Sequence, residues 1–187
     1  TQAPVMIYFG QELGEHGMES EGFSGVDGRT TIFDYWGVKT IQAWANGGKF
    51  DGKRLTNDQK ALRQFYKKLL TITLTEKAIT SGLMYDLEFA NFENPKFNTH
   101  EQYAYFRKFE DELLLIVLNF DDKHLDTDVC FPLEAFQYLD LKEGQTYSVV
   151  NLLDETEKFP LHTLNSKDPF VIHMPAWKGF ILKLTKV

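Results

Sequence analysis

The sequence PVMIYFGQE, residues 4–12, is a continuous apolar run closed by a glycine and two polar residues. A run of this kind, without alternation, is typical of a strand buried on both faces, as in a parallel sheet. Such a strand needs neighbours on both edges. The pattern of Pro4 to Phe9 therefore indicates a strand made for burial between two neighbours. Without those neighbours, the segment should be disordered, packed on other elements or paired with a second copy of the chain.

The chain continues with a glycine-rich segment from Gln11 to Arg29 that has no period and is typical of a functional loop. Beyond it, Lys39 to Ala45 is predicted to be a short helix ended by Asn46-Gly47-Gly48. A longer helix, from Gln59 to Leu74, is predicted from the capping box at residues 56–59. Its apolar stripe has three- and four-residue spacing. The stripe consists of Leu62, Phe65, Tyr66, Leu69 and Leu70.

The pattern changes after Gly82 to short runs separated by turn residues, which predicts a domain boundary at Ser81-Gly82. Beyond the boundary, the segments Tyr103 to Phe109 and Leu113 to Phe120 predict a β-hairpin. The other predicted strands are Asp128 to Phe131, Thr146 to Leu152, Phe170 to His173 and Phe180 to Leu184. Several short strands with regular turns favour an antiparallel sandwich.

Composition excludes several classes of function. The net charge of -7 and the absence of a basic stripe argue against nucleic acid as a partner. No apolar run approaches the length of a membrane span. A lone cysteine, Cys130, cannot form an internal disulfide. The five histidines show no metal-binding spacing, so we expect neither a metal nor another cofactor.

The order of these features resembles the alpha-amylase family of glycoside hydrolases. Residues 4–12 are similar to the family's eighth barrel strand, and Asp27-Gly28-Arg29 to the Asp and Arg that often follow it. The other similar motifs are Phe33-Asp34-Tyr35-Trp36, then Leu62-Arg63 with Tyr66-Lys67-Lys68-Leu69 in the eighth helix, the linker Gly82, the hairpin, and Met174 to Phe180 at the last edge of the sandwich. The resemblance covers essentially the whole chain.

The resemblance implies a fold that is α+β and mainly β. Residues 1–81 would be a partial (β/α)8-barrel piece with one or two helices. Residues 82–187 would be an antiparallel β-sandwich of the alpha-amylase C-terminal type. The chain would thus be the C-terminal segment of a longer enzyme.

The family's reaction is retaining cleavage or transfer at α-glucosidic bonds, with one carboxylate as nucleophile and another as acid/base. In the family these groups lie on strands before the eighth, so we assign no catalytic residue here and expect the fragment to be inactive. The implied partners are an α-glucan or oligosaccharide, met through the parent enzyme, and the missing N-terminal barrel. The alternative is a stand-alone β-sandwich that serves as a carbohydrate-binding or structural module.

The loop after the eighth strand supplies the candidate substrate-binding residues. Asp27, Arg29, Tyr35 and Trp36 have the hydrogen-bonding groups and aromatic faces that grip sugars. In the structural alternative, Arg29 forms an ion pair with Asp34, while Tyr35 and Trp36 belong to the core.

Two further residues have two interpretations each. Glu12 is a substrate-binding candidate, or its carboxylate caps backbone N–H groups of the glycine-rich loop. Trp177 is an exposed sugar platform, or its side chain closes the end of the sandwich core.

Overall fold

The computed structural model describes residues 5–15 and 38–187 of the chain. The chain divides into two units, Thr1–Thr71 and Ile72–Val187. Within the described ranges, no helix is long and apolar enough to cross a membrane.

The buried strand that the apolar pattern predicts does not form at residues 5–8. Residues 5–8 have no regular secondary structure, and the side chains of Val5 and Met6 are exposed at 82% and 81%. A strand of a parallel sheet is held by hydrogen bonds to strands on both edges, and no described strand pairs with this run. A turn at Phe9 and Gly10 leads instead into a 3₁₀ helix, Gln11–Leu13.

Both predicted helices of the first unit are confirmed. Helix α1, Lys39–Ala45, ends at Asn46, whose φ of 46° is the left-handed cap conformation. Helix α2, Asn57–Thr75, begins with the capping box. The backbone N–H of Thr56 donates to Gln59 Oε1 at 3.0 Å, and the N–H of Gln59 donates to Thr56 Oγ1 at 3.2 Å.

The apolar stripe of α2 is only partly covered. Leu62, Tyr66 and Leu69 are half-buried, whereas Phe65 and Leu70 are 49% and 43% exposed. The helix therefore leaves apolar surface open to a partner.

In the second unit, where every residue is described, the chain forms two antiparallel sheets. The strands are β1 Leu83–Asp86, β2 Gln102–Phe109, β3 Glu112–Asn119, β4 Leu125–Val129, β5 Gln145–Asn151, β6 His162–Leu164, β7 Phe170–Met174 and β8 Gly179–Lys186. The larger sheet has the order β1-β2-β3-β8-β5-β6, and β4 pairs with β7. The predicted hairpin is β2–β3, with Phe109 opposite Glu112. The prediction of an antiparallel sandwich is confirmed.

The sequence patterns missed the short elements of this unit. They are β1, β6 and the helices α3 Lys77–Thr80, α4 Glu88–Asn91 and α5 Leu133–Tyr138. The strand predicted at Asp128 to Phe131 lies earlier, at β4. It stops at Val129 because the N–H of Cys130 donates to Asn91 Oδ1 at 2.8 Å instead of joining a ladder.

One hydrophobic core joins the two sheets. Phe106 of β2 and Phe131, which follows β4, lie with ring centroids 4.9 Å apart. Met174 of β7 and Leu182 of β8 are fully buried in the same cluster. Side chains from both inner faces therefore form a single sandwich core.

The opposite face of the larger sheet is covered in part by α3. The buried Arg107 donates from Nε to the Ala78 carbonyl at 2.8 Å and from Nη2 to the Ile79 carbonyl at 2.5 Å. The N–H of Ala78 donates to Glu112 Oε1 at 2.7 Å. Because of these contacts the second unit begins ahead of Ser81-Gly82. The domain assignment of residues 1–81 and 82–187 stays a prediction.

Gly82 provides a test of the close contact between α3 and the larger sheet. A Cβ added there would lie 2.4 Å from the Ala78 carbonyl oxygen and 2.6 Å from that of Lys108, both of which are backbone atoms. We expect Gly82→Ala to lower the free energy of unfolding by about 3 kcal/mol, since the backbone must move. The control is Gly144→Ala, which has open space but a φ of 76° and should cost about 1 kcal/mol. Equal losses in chemical denaturation would contradict the close approach at Gly82.

Candidate functional site

Four of the predicted substrate-binding residues, Asp27, Arg29, Tyr35 and Trp36, lie outside the described residues, as does Asp34. Their roles therefore stay predictions.

The fifth, Glu12, is half-buried in the 3₁₀ helix Gln11–Leu13. Side-chain contacts fix this turn in the first unit. Gln11 accepts a hydrogen bond from the Tyr8 N–H at 3.0 Å and donates to the Tyr66 hydroxyl at 2.8 Å. The hydroxyl of Thr40 donates to the carboxylate of Glu15. The turn that carries Glu12 is thus held against both helices of the unit.

The segment between α1 and α2 has an unusual backbone. Five of its residues have positive φ angles, which are 46° at Asn46, 65° at Gly47, 89° at Gly48, 52° at Phe50 and 63° at Gly52. Glycine adopts this conformation at no cost, but a phenylalanine does not. Strain of this kind persists only where surrounding contacts impose it, and it clusters at functional sites.

These residues form one side of a pocket of about 270 Å³. Its lining comes from the end of α1, the loop and the first turns of α2. The lining residues are Trp44, Phe50, Asp51, Gly52, Leu55, Lys60, Arg63 and Gln64. Trp44 and Phe50 meet edge to face with ring centroids 5.4 Å apart, and the Arg63 guanidinium lies 5.8 Å from the centroid of Trp44. The Arg63 contact is a cation–π interaction that fixes both side chains.

The pocket carries an ionised carboxylate. Asn46 Nδ2 donates to Asp51 Oδ1 at 2.8 Å, and the N–H of Lys53 donates to the same oxygen at 3.1 Å. The Asn46 hydrogen bond, followed by that of Lys53, holds the pKa of Asp51 below its usual value. The pocket therefore offers an acceptor that stays charged at neutral pH.

This combination of groups suits a neutral, hydroxyl-rich ligand. Aromatic surface packs against the apolar C–H groups of such a molecule. Arg63, Lys60 and Gln64 supply donors, and Asp51 supplies acceptors for its hydroxyl groups. Across the described residues, no group of three or more His, Cys, Asp or Glu side chains is arranged to hold a metal ion.

No sequence pattern predicted Trp44, Phe50 or Arg63 as a binding residue, although Leu62-Arg63 resembled a family motif. A signal was present for Phe50, which is an aromatic residue among the glycines between the two predicted helices. The pairing of Arg63 with Trp44 joins different helices and had no local signal.

The strained backbone at Phe50 predicts a difference between two substitutions. Phe50→Gly and Phe50→Ala both lose the ring contact with Trp44, but only glycine relieves the left-handed strain. We expect Phe50→Gly to be more stable than Phe50→Ala by about 1 kcal/mol, measured by chemical denaturation. If the alanine variant were the more stable, the positive φ at Phe50 would be refuted.

No protein-family model matches the sequence, and no curated protein matches it. Solved structures, however, are similar in fold. AmyP in complex with maltose is 16% identical with a TM-score of 0.57, over 98% of this chain and 32% of that chain. An AmyP variant in complex with maltotriose is 14% identical with a TM-score of 0.50, over 73% and 23%. An Anoxybacillus alpha-amylase is 18% identical with a TM-score of 0.46, over 73% and 25%.

The chain therefore spans 32% and 23% of the two AmyP chains. At these identities the two AmyP structures show likeness of fold alone, by their TM-scores of 0.50 and 0.57, and the likeness agrees with the resemblance found in the sequence motifs. The chain has the fold of the C-terminal part of alpha-amylase family enzymes.

Proposed function

We propose that the chain is the C-terminal part of a glycosidase or transglycosidase that acts on α-glucans. The observation that carries this proposal is the similarity to AmyP, which extends over 98% of the chain. The pocket of Trp44 adds support, because its aromatic and hydrogen-bonding groups suit a glucosyl unit.

The chain alone is proposed to bind sugar without cleaving it. Retaining hydrolysis needs two carboxylates about 5 to 5.5 Å apart across the bond. The family resemblance places both on barrel strands before the eighth, which this sequence does not include. Its own contribution to the site is the turn of Glu12, the loop residues Asp27, Arg29, Tyr35 and Trp36, and the pocket of Trp44.

The remainder of a (β/α)8 barrel is the proposed partner of the first unit. Val5 and Met6 are more than 80% exposed, although their sequence is that of a buried strand. Phe65 and Leu70 of α2 are also exposed. Strands and helices of a barrel would bury both surfaces, and each methylene group removed from water stabilises the assembly by about 0.8 kcal/mol.

Val5 to Phe9 is also the proposed site of self-association when no barrel is supplied. The exposed side chains of Val5 and Met6 would be removed from water by contact with another chain, which stabilises such a pair. A second copy of Val5 to Phe9 is the partner that would be present at high protein concentration.

Isothermal titration with maltoheptaose tests the proposed function. We expect millimolar or tighter binding, an at least tenfold loss of affinity in Trp44→Ala, and a similar loss in Trp36→Ala. Tenfold corresponds to about 1.4 kcal/mol. The matched control is Phe65→Ala, which removes an exposed ring of the same unit outside the pocket and should bind as the unsubstituted chain does.

A parallel assay with a chromogenic maltoside should give no product above the buffer rate. Turnover by the pure chain would refute the proposed inactivity. Absence of any maltoheptaose binding at millimolar sugar would refute the proposed sugar contacts.

A further inference from the structure

The turn before β8 carries an exposed tryptophan. Trp177 is 71% exposed, and its φ is 54°. A bulky residue with a left-handed backbone is a genuine outlier, because its Cβ crowds the carbonyl oxygen. Of the two roles open to Trp177 from the sequence, its exposure excludes closure of the sandwich core.

A buried asparagine holds this turn from within. Asn119 is 2% exposed, and its Nδ2 donates to the carbonyls of Lys123 and Pro175, each at 3.0 Å. The N–H of Trp177 donates to the carbonyl of Asp121 at 3.0 Å. These hydrogen bonds join the turn that follows Asn119 to the turn before β8. The backbone at Trp177 is therefore already constrained, and it loses little conformational entropy when a ligand binds.

The residue after the tryptophan is fixed as well. Lys178 Nζ lies 2.6 Å from Glu157 Oε1 and 5.3 Å from the ring centroid of Phe180. Its carbonyl accepts the N–H of Asn119 at 2.9 Å. Contacts on both sides of Trp177 thus impose its conformation, and the indole is presented to solvent by a rigid turn.

The neighbouring turn supplies a second ring and acidic groups. Phe120 is 55% exposed, and its N–H donates to the carbonyl of Glu101 at 2.7 Å. Asp121 and Asp122 follow it directly in the chain. Asp121 is buried and its carboxylate accepts the N–H of Lys123 at 3.1 Å, whereas Asp122 is exposed. We name Phe120, Asp122 and Trp177 the Trp177 platform. Its carboxylate repels polyanions such as nucleic acids and accepts hydrogen bonds from hydroxyl groups.

We propose that the Trp177 platform binds an α-glucan chain, as a second site in the β-sandwich unit. The choice of ligand rests on the proposed function. The C–H face of a glucosyl ring packs on the exposed indole, and its hydroxyl groups meet the exposed carboxylate of Asp122. Exposed rings of this kind suit a stretch of a long polymer, which gains affinity from many weak contacts.

Native electrophoresis in gels that contain amylopectin tests the proposal. We expect the unsubstituted chain to be retarded, and Trp177→Ala to reduce the retardation constant at least fivefold. Trp177→Phe keeps an aromatic face and should retain more than half of the retardation. The matched control is Phe89→Ala, which removes a ring of the same unit that is 94% exposed and should change nothing. Near-ultraviolet circular dichroism verifies that each variant is folded.

The outcomes separate this proposal from the proposed function. Unchanged retardation of Trp177→Ala would overturn the platform, while the loss of maltoheptaose affinity in Trp44→Ala would still support the pocket. An equal loss in Phe89→Ala would overturn the platform in favour of nonspecific adsorption. If sedimentation showed that Trp177→Ala separates a dimer without altering retardation, the occupant would be a second copy of the chain, and the proposal would fail.

Discussion

The second unit depends on β3, whose residues Leu113 to Val117 are at most 4% exposed. A strand with both faces buried needs a covering layer on each side of its sheet. The β4–β7 sheet supplies one layer, and α3 contributes to the other. Arg107 makes the second contact possible, because its buried guanidinium needs acceptors and the last carbonyls of α3 need donors. These two hydrogen bonds offset part of the desolvation cost of the guanidinium, whose buried Nη1 has no hydrogen-bond partner among the described residues.

The two proposed binding sites share one feature, an exposed aromatic ring on a turn with a left-handed backbone. Phe50 in the first unit and Trp177 in the second are exposed aromatic residues with φ angles of 52° and 54°. Side-chain amides donate hydrogen bonds that support both turns, from Asn46 to Asp51 in one and from Asn119 to the Pro175 carbonyl in the other. A ring that is already fixed loses little entropy on contact with a sugar, so the constrained turn favours binding.

Sequence patterns predicted the elements that local interactions determine. The left-handed cap at Asn46 and the capping box of α2 each depend on residues a few positions apart. The apolar pattern of residues 4–9 indicated a buried strand, which does not form at residues 5–8 because a parallel strand depends on distant partners. The end of β4 was misplaced since Cys130 bonds to Asn91, 39 residues away. The Trp44 pocket likewise arises from contacts between helices, which periodicity does not reveal.

The indole N–H resonances give the most direct test, because the chain has three tryptophans, one in each proposed sugar contact. In a ¹⁵N-labelled sample titrated with maltoheptaose, resonances assigned by single Trp→Phe variants report on Trp36, Trp44 and Trp177 separately. The account predicts saturable shifts at Trp44 and Trp36, a shift at Trp177 that is larger with longer glucans, and no new reducing ends in the sample. Three unmoved indole resonances at millimolar sugar, or cleavage of the ligand, would contradict it.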